Sequence, residues 1–171
     1  MKLSDRVLNL AESATMAVSG RAAQLRREGK DIVSFGAGEP DFDTPDNIKQ
    51  AAIDALQGGA TKYATPSSGI IPLKEAVAAK LSRENSLDYD PSQVIVSVGG
   101  KEALYLAFAT LLDEGDEVII PAPYWVSYPE QAALCGGVPV YILGDVSNSF
   151  KITPAQLESA ITPRTKAFVF N

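Results

Sequence analysis

Histidine is absent from this 171-residue chain. A Ser-His-Asp or Cys-His catalyst cannot be assembled from it, nor can a histidine general base. Cysteine is nearly absent: the single Cys135 cannot form an intrachain disulfide, and with no histidine there is no Cys/His cluster for zinc. Positive charge is in deficit, with 15 Lys and Arg against 21 Asp and Glu for a net charge of −6. That balance argues against general affinity for nucleic acid or for an acidic membrane surface. No apolar run approaches the roughly 20 residues that a membrane-spanning helix needs. The opening MKLSDRVLNLAES carries charges within its first six residues and no continuous apolar stretch, unlike a secretory signal. The expected compartment is a reducing cytoplasm. Any chemistry has to rest on lysine, carboxylates, tyrosine or a bound cofactor.

What is present describes an ordinary globular protein, 46% hydrophobic and 21% charged. Short apolar runs alternate with helical patterns. Strands are expected at Ile32–Phe35, Val94–Val98, Glu117–Ile120, Val138–Ile142 and Lys166–Phe170. Thr44-Pro45 and Thr153-Pro154 each read as a helix start, a cap hydroxyl followed by proline at the first helical position. Ile48, Ala52, Ala55 and Leu56 give the first of these helices an apolar stripe, and Gly58-Gly59 stops it. Leu73, Val77 and Leu81 mark another helix, and Leu104, Ala107, Phe108 and Leu111 mark the one after Gly99-Gly100. A further helix is expected at Ser127–Leu134. Thr61 to Gly69 reads as a polar loop carrying an exposed Tyr63.

Apolar strands separated by helices define the expected fold class: α/β, a largely parallel sheet with helices on both faces. No repeat or compositional break marks a linker. The first 30 residues contain no strand, and SGRAAQLRREGK reads as a charged helix ending at Gly29. The expected organisation is an arm and helix over 1–30, with the sheet domain over 31–171. A parallel-sheet chain that stops one residue past an apolar strand leaves that strand as an uncovered edge, so the chain is expected to continue beyond Asn171.

Ligands of open parallel sheets bind at the carboxyl ends of strands. Gly99-Gly100-Lys101-Glu102 lies at such an end, where glycines allow close approach to backbone N–H groups and a helix start favours an anion. The same pair would also serve a plain tight turn. Neither the GxxxxGK[ST] frame nor GxGxxG is present. Pro121-Ala122-Pro123-Tyr124-Trp125 stiffens a second strand end and presents the sole tryptophan, suited to stacking on a planar ring or to plugging the sheet. Asn171 ends a third strand, where its amide could bond a ligand or cap the strand. Phe35 to Phe42 forms a loop whose glycines expose N–H groups to a carboxylate, and whose Glu39 and Asp41 also suit ordinary turn hydrogen bonds.

Five blocks occur in order: AGEPDFDTP (37–45), TKYATPSSGI (61–70), VSVGGKEAL (96–104), PAPYWVSYPE (121–130) and TPRTKAFVFN (162–171). In these the chain resembles the amino-terminal part of class I aminotransferases, in particular bacterial aspartate aminotransferases, including those that also use prephenate. The resemblance implies the amino-terminal portion of the fold type I pyridoxal-phosphate transferase large domain. It implies pyridoxal 5'-phosphate as cofactor, with Gly99, Gly100 and Lys101 holding its phosphate and Trp125 stacking on its pyridine ring. It places Gly38 against the substrate carboxylate, and Tyr63 on the cofactor phosphate of the neighbouring subunit of a homodimer with shared active sites.

The family's Asn-Pro-Thr-Gly block, its pyridine-pairing aspartate, its Schiff-base lysine and its substrate-gripping arginine are all expected after Asn171. Lys62, Lys101 and Lys166 do not stand in the family's lysine motif. No catalytic residue is therefore assigned within the chain, which by itself is expected to be inactive. The implied activity of the complete protein is amino-group transfer between an amino acid, aspartate or another dicarboxylic one, and a 2-oxo acid. A related pyridoxal enzyme such as a β-lyase, or a non-catalytic assembly fragment, are the alternatives.

Overall fold

The computed structural model describes residues 2–10 and 13–171. It divides into two compact units: Met1–Lys30 with Gly99–Asn171, and Asp31–Val98.

The first unit holds a three-stranded parallel sheet in the order β2-β1-β3, where β1 is Glu117–Ala122, β2 is Val138–Leu143 and β3 is Thr165–Phe168. All three match expected strands. β1 is central: Glu117 stands opposite Val138 on one side and opposite Thr165 on the other. The register with β3 shifts between Glu117 and Val118. Helix α5 (Gly99–Leu111) precedes β1, and α6 (Ser127–Leu134) joins β1 to β2 as the sequence predicts. The chain starts in this unit with α1 (Asp5–Leu8) and α2 (Ala14–Arg27). The charged helix expected to end at Gly29 therefore begins earlier, where the Ser13 hydroxyl accepts from the Met16 N–H.

Val118, Ile119 and Ile120 of β1 are fully buried. Alternation sends Val118 and Ile120 to one face, where they meet Phe108 and Leu112 at the end of α5 and Ala132 of α6. Burial of each such aliphatic side chain contributes roughly 1.5–3 kcal/mol. Cys135 packs half-buried against this cluster; burial pushes its thiol pKa up, and the charge of Arg6 works against that shift. Glu117, 4% exposed, closes the lower end of the sheet. It accepts from the Thr162 hydroxyl (2.6 Å) and from the Arg164 guanidinium, and these bonds, Thr162 foremost, hold its carboxyl below the ordinary glutamate range. Helix α7 (Pro154–Ala160), packed on β2, starts as expected: Thr153 and Gln156 exchange reciprocal side-chain bonds to each other's backbone N–H.

β3 departs from the buried strand read from its apolar run. Ala167 and Val169 reach the core, while Phe168 and Phe170 face outward, the latter 90% exposed. Among the described residues β3 pairs with β1 alone and is an edge strand of the sheet.

The second unit contains α3 (Asp46–Gln57) and α4 (Ile71–Asn85), with a 3-10 turn at Pro91–Gln93 that α4 packs against. Neither Ile32–Phe35 nor Val94–Val98 joins the sheet as expected. An apolar run specifies extended chain, but a strand also needs a ladder partner. Val96 N–H instead donates to the Ser68 carbonyl at 2.8 Å. Helix α3 starts one residue later than expected, with Pro45 rather than Thr44 in the cap position and no side-chain cap bond. Its stripe is present but uncovered, with Ile48 and Leu56 exposed. In α4 the covered face is Lys74, Val77, Ala78 and Leu81, spaced i, i+3, i+4, i+7. Lys74 thus takes the place expected of Leu73, which is exposed.

Candidate functional site

A cleft of about 550 Å³ opens in the sheet unit. Gly100 and Lys101 form one wall at the start of α5, and Trp125 lies beside them, three residues past the end of β1. Ala167 to Phe170 form another wall. The first turn of a helix leaves N–H groups without intrahelical acceptors and carries partial positive charge. Gly99 begins α5 at φ +79°, a left-handed backbone that suits glycine. A Cβ at Gly99 or Gly100 would meet nothing within 4 Å, so the helix start faces open space. The expected strand-to-helix turn is thus the first turn of the helix itself.

The Lys101 ammonium stands 6.0 Å from the centroid of the Trp125 ring, within reach of a cation–π attraction. Trp125 is 48% exposed in this chain. Gln131 of α6 donates from Nε2 to the Lys101 carbonyl at 2.8 Å and so ties the two helices at the cleft. Its Oε1 is buried without a hydrogen-bond partner. The Tyr128 hydroxyl donates to the Asn171 side-chain oxygen, so Asn171 bonds within the protein. A second cavity of about 440 Å³ shares Lys101, Ser127 and Gln131 and reaches the Tyr124–Tyr141 pair, stacked at 5.2 Å. Burial, followed by the hydrogen bond with Tyr124, pushes the Tyr141 hydroxyl pKa up.

Gly100, Lys101 and Trp125 are therefore brought together, with Gly99 next in the chain. Gly38 and Tyr63 belong to the second unit. Tyr63 is fully exposed on its loop, and a Cβ at Gly38 would meet nothing within 4 Å. Ser127, Tyr128 and Gln131 were not singled out from sequence. Their spacing of i, i+1 and i+4 directly after the PYW segment is the signal that places them on one face of α6. Among the described residues no group of three or more His, Cys, Asp or Glu could hold a metal, and no helix is long and apolar enough to cross a membrane.

An ammonium, a glycine-opened helix start and a half-exposed indole plane form a donor set that fits a phosphorylated planar ring. Comparison with known proteins places the chain in a family. Residues 30–171 match the family described as aminotransferase class I and II, and the chain belongs to that family. It is 58% identical over all 171 residues to an aspartate aminotransferase of Geobacillus stearothermophilus, of which it covers 43%. It is 56% identical over 99% of its length to a probable aspartate/prephenate aminotransferase of Rhizobium leguminosarum bv. phaseoli, covering 42% of that protein. Among solved structures, a Thermus thermophilus aspartate aminotransferase with maleate superposes with a TM-score of 0.96 at 51% identity, over 99% of this chain and 44% of that one. The fold is thus the amino-terminal part of a fold type I aminotransferase. The chain spans less than half the length of these relatives.

Proposed function

We propose that the full-length protein is a pyridoxal-phosphate-dependent aminotransferase that moves an amino group between a dicarboxylic amino acid, aspartate foremost, and a 2-oxo acid. The observation that carries this reading is the Lys101 ammonium set over the Trp125 ring at the glycine-opened start of α5. Family membership and the names of the relatives support it.

In this reading the first turn of α5, at Gly99 and Gly100, and the Lys101 side chain hold the cofactor phosphate by charge and hydrogen bonding. Trp125 orients the pyridine ring by stacking and keeps water from one face of it. Gly38 leaves room for the substrate carboxylate. When bound, the cofactor supplies the electron sink that makes the substrate's Cα–H bond acidic. Tyr63 donates to the phosphate held by the other subunit of a cytoplasmic homodimer. The 171-residue chain alone does not turn over, because the family's cofactor-bonding lysine is not among its residues.

The test uses the full-length protein, purified and supplied with pyridoxal phosphate. Aspartate should yield its amino group only when a 2-oxo acid acceptor is present; acceptor-independent ammonia release would indicate a lyase instead. Trp125→Ala should weaken cofactor binding by several-fold and Trp125→Phe much less, since stacking contributes roughly 0.5–1.5 kcal/mol beyond area burial. Wild-type kinetics and cofactor affinity in the Ala variant would make Trp125 a structural residue.

A further inference from the structure

The covered face of α4 contains a charge. Lys74 is 4% exposed and stands on the covered face of the helix with Ala78. A buried ammonium is costly unless its protons are bonded. Its Nζ donates to the Ser68 hydroxyl at 2.9 Å, and its charge also reaches Asp90. The same Ser68 accepts on its carbonyl from Val96 N–H at 2.8 Å. Gly69, next in the chain, is itself buried at φ +127°. A Cβ there would fall 2.6 Å from the Val96 side chain and 3.6 Å from the Lys74 stem. Ser68 is therefore held by Lys74 and by Val96, and Gly69 lies close against the same two residues.

These contacts fasten one end of the Thr61–Gly69 loop. The other end is fastened at the close of α3, where Ala60 N–H donates to the Ala55 carbonyl and Thr61 N–H to the Gly59 carbonyl. Gly69 N–H donates back to the Pro66 carbonyl and tightens the strap from within. Between the two fastenings Tyr63 stands fully exposed, with no packing of its own to hold it. Its position is set by the ends of the strap.

We infer that Lys74 is a positioning residue: through Ser68 it holds the 61–69 loop in the shape that presents Tyr63, and so controls cofactor retention without touching the cofactor. The inference rests on the proposed role of Tyr63. An apolar residue in the same place would cover the helix face equally well but could not bond Ser68, which explains a cation in an apolar stripe.

The test uses full-length holoenzyme and two readouts. Equilibrium dialysis gives the pyridoxal phosphate dissociation constant for the wild type, Tyr63→Phe, Lys74→Met and the double variant. Hydrogen exchange gives the opening rate of the 61–69 amides. Lys74→Met should speed exchange in that loop and raise the dissociation constant by roughly tenfold. The double variant should be little worse than Tyr63→Phe alone, because both lesions remove one interaction. Lys74→Met combined with Trp125→Phe should instead be additive. Should Lys74→Met fail to fold, Ser68→Ala removes the same bond with a smaller change and carries the same expectations. Unchanged loop exchange, or additivity with Tyr63→Phe, overturns the inference. Faster exchange with an unchanged dissociation constant for Tyr63→Phe overturns the role of Tyr63 instead, and with it the link from Lys74 to the cofactor.

Discussion

The two units are held together in different ways. In the sheet unit, Val118, Ile119 and Ile120 are sealed from water, and β1 is hydrogen-bonded on both sides. In the Asp31–Val98 unit the buried residues are small or charged, namely Gly69, Lys74 and Ala78, and α3 has no buried residue. Order there comes from turns: the reciprocal bonds of Asp90 and Gln93, the strap at Ser68, and the left-handed Ser86 after α4. Apolar burial is roughly additive and tolerates small losses, whereas a turn depends on a few bonds of fixed geometry. The sheet unit should therefore yield gradually to side-chain truncation, and the second unit abruptly to changes at single backbone positions.

The largest expected effect tests the sheet unit. Phe108→Ala should cost about 3–5 kcal/mol in urea unfolding of the full-length protein, with hydrogen exchange accelerating in β1 and β2. Protection of the 61–69 amides should be little changed; if it falls equally, the contrast between the units fails. Next, Gly69→Ala should cost about 1–3 kcal/mol from backbone strain and the clash with Val96. Its exchange signature should be confined to residues 61–98. Thr153→Ala removes a cap and should cost about 1 kcal/mol, seen as fraying of α7 alone.

The smallest effect is a change of slope. Because the folded protein depresses the Glu117 carboxyl, its contribution is present above the ordinary glutamate value near 4.5. That contribution is lost as pH falls through the lower, folded value. Glu117→Gln should flatten the acid limb of stability against pH below about 4.5 and leave the neutral slope unchanged. An identical acid limb in wild type and variant would show that Thr162 and Arg164 do not favour the ionised form.

The contrast also explains what could be read from sequence. The strands of the sheet unit and α6 were legible because continuous apolar runs and turn residues are local signals. Thr153-Pro154 and Thr44-Pro45 look alike, yet only the first makes the expected cap. Gln156 stands at the third helical position of one and can bond back to Thr153, while the shorter Asn47 stands at the corresponding position of the other. At 32–35 and 94–98 the apolar pattern identified residues suited to burial but could not name a partner strand. Gly100, Lys101 and Trp125 do line one cleft, at the start of α5 and just past the end of β1, although the strand expected before Gly99 does not form. Lys74 was not legible, since a lysine one residue from an apolar stripe reads as solvated until the helix face is known.

Cys135 is the one cysteine of this chain, and it touches the same cluster that seals the sheet. Alkylating reagents attack the thiolate, and burial pushes the pKa of this thiol up, which lowers its thiolate fraction. Half-buried beside the core, it should label more slowly than a free thiol and faster when the packing around it loosens. In a protein whose other thiols had been replaced, one reagent and one mass shift would follow that packing without a probe having to be introduced.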